Sequence, residues 1–286
     1  MVTLSYLIQG ANGDVIPFDG STGFYLTSGF RGVGIPPTDV RISNSAGDGG
    51  TWRSTRRGVR DLDLPLTVIG TDRADVETKL RRLAAALSDR YGTPMLLARY
   101  SDGTSYQLEV HYTGGAETQF GSDAGDQFAR WVVTLQAPDP FWTSQQAVSF
   151  SLGYDATTRG LLPNLSQLQV KTDSVIGAFT IENPGDVEAY PVWSIQGKST
   201  LLSLSLNGIG FTYTENMATG TGKRTINTRT ASVVDSAGTN LYDNLGTAPK
   251  LFAMPPGSSS ISLSITGADA TTGFAGYFQP RREVLH

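Results

Sequence analysis

The 286-residue chain contains no cysteine, so it has no disulfide, no thiol nucleophile and no thiolate metal site. It has two histidines, His111 and His286. That excludes a histidine-rich metal centre and leaves a serine triad without a well-placed base. Charged residues make up 17%, and the net charge of −4 is evenly spread. Residues 1–150 hold 13 basic and 16 acidic groups and the rest hold 9 and 10, so there is no basic domain for tight, sequence-independent DNA binding. No stretch approaches the ~20 apolar residues of a membrane helix, and the start, "MVTLSYLIQGANGD", lacks the basic and apolar regions of a secretory signal. What is abundant is Gly (33) and Pro (14), a turn-rich balance that predicts a mainly β protein large enough for two domains.

One segment has helical spacing. In "GTDRADVETKLRRLAAALSDRYGTP", Asp72 is placed to cap the N-terminus. Val76, Leu80, Leu83, Ala84 and Leu87 fall on one face, and Gly92 and Pro94 stop a helix expected near 72–90. Arg73, Lys79, Arg81 and Arg82 form its solvated face. Strands surround it: "DLDLPLTVIG" puts Leu62, Leu64, Leu66 and Val68 on one side, and Pro65 assigns that strand to an edge or a bulge. "MLLARYSDGTSYQLEVHY" reads as a hairpin around Asp102-Gly103, with His111 opposite its apolar row. Between residues 31 and 60 no continuous pattern is present, and a loop of that length is expected to be an extended arm lying on a neighbouring subunit. It carries Arg53, Arg56, Arg57 and Arg60, read as ion-pair formers within the chain or across subunits rather than a phosphate strip.

"APDPFWTS" marks a domain junction at Pro140, Phe141 and Trp142, giving expected domains of 1–142 and 143–286. Beyond it, "AFTIEN", "PVWSIQG", "LLSLSLNG", "FTYTEN", "RTINTRTASVVD", "PKLFAM", "SISLSITG" and "GYFQPRREVL" read as short strands of a β-sandwich, while 153–175 is weakly patterned. In "IENPGDVEAYPVWSIQG", Asn183 to Asp186 form a turn in which Gly185 is expected to supply a positive φ. Pro191, Trp193 and Ile195 then enter the core.

Catalytic motifs fail one by one. Gly197-Lys198-Ser199 ends like a phosphate loop, but Val192 stands at the first glycine position and a strand follows. Gly220-Thr221-Gly222-Lys223 is followed by Arg224. The carboxylates Asp61/Asp63, Glu182/Asp186/Glu188 and Asp235/Asp243 leave a glycosidase open, each with a plainer reading as polar face or turn former. No catalytic, cofactor or metal residue is assigned.

The order of these segments resembles the distal tail protein of long-tailed, non-contractile bacteriophages. The sequence runs from "TRRGVRDLDLPLTVIG" through one helix, a hairpin and "WVVTLQAPDPFW", then "IENPGDVEAYPVWSIQG" and "PPGSSSISLSITG", and the resemblance covers the whole chain. It implies an N-terminal tail-tube-like β-barrel or sandwich with one helix, which forms a ring, and a C-terminal galectin-like β-sandwich; some relatives insert a carbohydrate-binding module there, for which a sandwich of roughly 140 residues, an ordinary single-domain size, is expected to leave no room. It further implies a virion protein whose six copies close a ring at the tail tip. That ring joins the tail-tube protein to tail-tip partners (a tail-associated lysin or fibre, or a receptor-binding protein) and leaves a channel through which DNA passes unbound, with no cofactor and no membrane. Arg53, Arg56, Arg57, Arg60 and Pro65 are its expected inter-subunit residues. The alternative is a carbohydrate-binding tail component using Tyr213, Tyr242 or Tyr277.

Overall fold

The computed structural model describes residues 3–117, 121, 123–153, 169–171 and 174–285; His286 and most of 153–175 lie outside them. The chain is mainly β, with one α-helix among the described residues. It divides into two compact units, one of residues 1–145 plus 282–286, the other of residues 146–281.

The first unit holds β1 (Leu4–Gln9), β2 (Val15–Pro17), β3 (Phe24–Leu26), β4 (Thr38–Asn44), β5 (Gly50–Arg57), β6 (Arg60–Ile69), α1 (Arg73–Ala86), β7 (Met95–Tyr100), β8 (Ser105–Glu109), β9 (His111–Gly115), β10 (Phe128–Ala137) and β11 (Trp142–Ser144). One sheet runs β2-β1-β7-β8-β11 and is completed beside β11 by the returning chain at Arg282; the other runs β3-β6-β10-β9. The two remain separate sheets rather than a closed barrel. Their inner rows meet in a single core, Ile8, Leu96 and Leu108 from one and Leu62, Leu64, Leu66 and Val133 from the other. The period-two alternation of β6 does this directly, since every second side chain points inward.

Helix α1 is capped as its sequence requires: the Asp72 carboxylate accepts from the Asp75 amide at 2.9 Å. The α-helix stops at Ala86, and a separate 3-10 turn spans Asp89–Tyr91, so the helix is shorter than the expected 72–90. Val76, Leu83 and Ala86 are buried, whereas Ala84 points outward, so the apolar stripe is rotated toward Ala86. Three cations on the other face pair within the helix or its entry, Arg73 and Arg81 with Glu77 and Lys79 with Asp75. Arg82 reaches Asp14 with two bonds of 2.7 and 2.6 Å.

Pro65 does not sit on an edge strand. Strand β6 is interior, between β3 and β10, and Pro65 pairs with Val132. Its missing amide faces the other neighbour, where β3 has ended at Leu26 and the next bridge, Arg31 with Asp63, has not begun. The Thr27 amide still donates to the Pro65 carbonyl at 2.9 Å. The proline therefore occupies an interruption in the adjacent strand, a place a donor-less residue can take inside a sheet.

The second unit holds β12 (Val148–Gly153), β13 (Gln169–Lys171), β14 (Ser174–Asn183), β15 (Val192–Gln196), β16 (Ser199–Leu206), β17 (Ile209–Met217), β18 (Arg224–Asn227), β19 (Ser232–Asp235), β20 (Gly257–Thr266) and β21 (Gly273–Phe278). They form two five-stranded sheets, β12-β21-β15-β18-β19 and β13-β14-β20-β16-β17. Trp193 is fully buried in their shared core, stacked on Phe274 at 5.8 Å and 16°. "PKLFAM" makes only a single bridge, Ala189 with Met254. Its Phe252 and Met254 are buried as plugs of the core, which produces an apolar alternation without a ladder.

Candidate functional site

The 31–60 segment folds as a two-stranded ribbon, not a structureless arm. Strands β4 and β5 pair from Thr38 with Arg57 to Asn44 with Gly50, and no third strand joins them among the described residues. The Gly58 amide closes the base on the Pro37 carbonyl at 2.7 Å, and Gly49, at φ 87°, turns the tip. A bulge after Arg41 makes Arg53 the extra residue. Directly paired residues share a face, so Val40, Ile42, Trp52 and Thr55 lie together on one side. Trp52 is 63% and Ile42 61% exposed. Asp39, Arg41 and Arg56 occupy the other side, and Arg53 reaches Ser43 there at 3.4 Å. The alternation was invisible as a pattern because neither face meets a core.

The four arginines separate into two kinds. Arg53 and Arg56 are exposed on the ribbon. Arg57 makes a paired contact with the Glu283 carboxylate at 2.9 and 3.1 Å. Arg60 is 1% exposed, and its guanidinium donates to the carbonyls of Pro140 (2.7 Å), Gly34 (2.7 Å), Glu283 (2.7 Å) and Gly32 (2.5 Å). Burial pulls its pKa down to about 10, which leaves it cationic at neutral pH. Arg60 thus has no surface to offer a neighbour. It is an internal clamp, and its expected role as an interface residue is corrected on that ground.

The outer face of the β3-β6-β10-β9 sheet carries a groove of about 810 Å³ lined by Thr27, Pro65, Glu117, Asp123, Trp131 and Val132, among others. Val132 is 51% exposed there. Trp131 pairs with Leu66 and packs against the first unit's core, and its Nε1 is buried with no hydrogen-bond partner among the described residues, as are those of Trp142 and Trp193. Arg130 also lines it, its guanidinium 5.5 Å from the centre of the Phe128 ring.

Trp142 is fully buried in the first unit's core, 6.3 Å from Tyr6. Phe141 is half-buried, its amide held by Asp139 at 3.3 Å. His111 meets Asp89 at 3.2 Å on the surface.

In the second unit, the 183–186 turn is organised by Asn183. Its amide donates to the carbonyls of Val187 and Met254, both at 3.0 Å, and its oxygen accepts from the Gly185 amide at 3.0 Å. Gly185 is not among the positive-φ residues, contrary to expectation. It is glycine because a Cβ there would stand 2.5 Å from the Arg281 carbonyl. Asp186 and Glu188 are exposed on this turn. Asp61 and Asp63 accept from Gln136 (3.0 Å) and Thr134 (3.1 Å), and Asp235 accepts the amides of Ala237 and Thr239 that close its turn. Asp235 is held below the usual carboxylate range by the Thr239 amide first, the opposite of what a glycosidase acid needs. Gly197 and Lys198 lead into strand β16, so no helix N-terminus faces them.

Sequence reading missed a half-buried network. Glu215 takes two bonds from Arg224, 2.9 and 2.8 Å, and a short one from the Tyr213 hydroxyl. The Arg224 bond holds Glu215 low, and burial pushes Tyr213 up to about 12. Tyr213 is 2% exposed, so it is no sugar platform; Tyr242 and Tyr277 are exposed. No cluster of metal-ligating side chains occurs among the described residues, and no helix is long and apolar enough to cross a membrane.

No family model matches the chain, and no curated protein matches it by sequence. Solved structures do. The Dit protein of phage SPP1, a paradigm of the hub adsorption apparatus in phages infecting Gram-positive bacteria, aligns over 98% of this chain and 99% of its own, with a TM-score of 0.65 and 14% identity. A chain of the phage P2 baseplate, in its activated conformation with Ca, aligns over 94% and 99%, with a TM-score of 0.51 and 9% identity. The chain has the Dit fold across both units.

Proposed function

We propose that the protein is a structural component of a phage tail tip, a hub that joins the tail tube to the host-adsorption apparatus. The observation that carries this reading is the end-to-end fold match to Dit, both units in one chain and in one order. At this identity the likeness is one of fold, so the role rests on the combination of that fold with the exposed ribbon, which has no further partner strand among the described residues. The first unit closes a six-membered ring around a channel for DNA, using Arg53, Arg56 and Pro65 at the subunit contact. The second unit is the galectin-like lobe. The tail-tube protein lies on one side of the ring and a tail-associated lysin, fibre or receptor-binding protein on the other. A slightly acidic chain, net −4, suits a conduit that does not retain DNA. A repeated contact between two different patches closes into a ring when its rotation permits.

Negative-stain imaging with native mass spectrometry tests the reading. Six-fold rings with an axial channel support it. A compact monomer at every concentration, together with failure to join isolated tail tubes, sinks it.

A further inference from the structure

The chain has two Asn-Gly dipeptides, Asn12-Gly13 and Asn207-Gly208, and the fold holds them differently. We propose that Asn207 is a self-modifying site: its side-chain amide reacts with the next backbone nitrogen, loses ammonia and becomes aspartate or isoaspartate. Water is the only co-reactant.

Asn207 and Gly208 are the two-residue loop of the β16–β17 hairpin, closed by the pairing of Leu206 with Ile209. Both have positive φ, 52° and 77°, the tight turn for which Asn-Gly is the favoured sequence. The dipeptide chosen for its shape is also the most reactive one, because a glycine nitrogen has no neighbouring Cβ to shield it. The step balances without an outside oxidant or reductant. A solvent base takes the Gly208 amide proton, and the nitrogen bonds to Cγ of Asn207. The Cγ–Nδ2 bond breaks, ammonia leaves, and a five-membered imide remains. Water then opens the ring at Cγ to give aspartate, or at the backbone carbonyl to give isoaspartate.

Exposure does not separate the two dipeptides, since all four residues are exposed. Hydrogen bonding does. The Asn12 side-chain oxygen accepts the Asp14 amide at 3.1 Å, and the Gly13 nitrogen donates to the Gly10 carbonyl at 3.0 Å. Electrophile and nucleophile are both engaged there. Neither the Asn207 side chain nor the Gly208 nitrogen has a partner among the described residues, and a Cβ at Gly208 would meet nothing within 4 Å. Attack still requires Asn207 to leave its left-handed conformation, and a hairpin tip is where a sheet opens at least cost. The two bonds that must break first slow Asn12 by about ten-fold relative to Asn207.

The product changes the second unit locally. Isoaspartate adds one atom to the main chain of a two-residue loop, which removes the Leu206–Ile209 closure. Either product puts a carboxylate beside a dent of about 240 Å³ whose lining, Ser203, Ser205, Thr212 and Thr247 among others, carries no charge. On the tail-tip reading a copy is not replaced once the particle is built, so the new charge accumulates with the particle's age. The chemistry itself does not depend on that reading.

The test is to hold the full folded chain at mildly alkaline pH and follow it by peptide mass spectrometry. Trypsin places Asn12 in residues 1–31 and Asn207 in residues 199–223, and fragmentation separates Asn207 from Asn216 in the latter. The expected result is a gain of about one dalton at Asn207, split between two products, about ten-fold faster than at Asn12. In urea the two rates converge, because both sites are then plain Asn-Gly. Asn207→Gly, which accepts the same positive φ, folds normally and shows no gain in its peptide. Equal rates at the two sites of the folded chain, or a faster Asn12, overturn the proposal. So does a folded chain that stays unchanged at Asn207 while the unfolded chain reacts.

Discussion

Arg57 and Glu283, 226 residues apart in sequence, share two hydrogen bonds of 2.9 and 3.1 Å. The pair ties the root of the ribbon to the last residues of the chain. Both side chains are about a third exposed, so the pair's share of stability is modest. Glu283→Gln lowers the first unit's stability by ~1 kcal/mol, read as a shift in its own unfolding transition, with the second unit's transition unmoved.

Arg60 carries more. Removing its side chain leaves the carbonyls of Gly32, Gly34, Pro140 and Glu283 without their buried donor. Arg60→Met destabilises the first unit by ~3 kcal/mol or more, and Arg60→Lys recovers little, because a single ammonium cannot span the fork of a guanidinium. Chemical denaturation of both variants checks this; equal stability of Lys and Arg at this position contradicts it.

Acid sensitivity follows from Asp14 and Glu215. Each is held below its ordinary pKa, first by the side-chain hydrogen bond from Arg82 and from Arg224, respectively. A carboxylate whose folded pKa is depressed adds stability that is fully present above its unfolded pKa of about 4 and is lost as pH falls through the folded value. Stability therefore declines below about pH 4–5. Asp14→Asn flattens that decline in the first unit and Glu215→Gln in the second, each measured by melting from pH 7 to 3.

Gly185→Ala forces a Cβ to 2.5 Å from the Arg281 carbonyl. The second unit loses about 1–3 kcal/mol, while Asp186→Asn, on the exposed part of the same turn, changes stability by less than ~0.5 kcal/mol. A neutral Gly185→Ala variant contradicts the close approach.

Helix α1 and strand β6 were legible because each has one face in a core: the periods of 3.6 and 2 are written by burial. Trp193 was legible for the same reason. Pro65 was misread because sequence shows the missing amide but not the interruption in the neighbouring strand that excuses it. The ribbon was read as a loop because a two-stranded element exposed on both faces leaves no inward row. "PKLFAM" shows the converse, burial without a ladder. Least legible were the long-range polar partners. Nothing local to Arg60 announces the four backbone carbonyls around it, and nothing in the spacing joins Tyr213 to Arg224. Such contacts are fixed by where the chain crosses itself in space.

The return of residues 282–286 to the first unit has a consequence during synthesis. The first unit is made almost entirely before the second, yet Arg57 and Arg60 have no Glu283 to hold until the second has been translated. At about 5–20 residues per second that interval is on the order of ten seconds. Through it the nascent ribbon root lacks part of its clamp, so a segment translated after the second unit completes the first-made one.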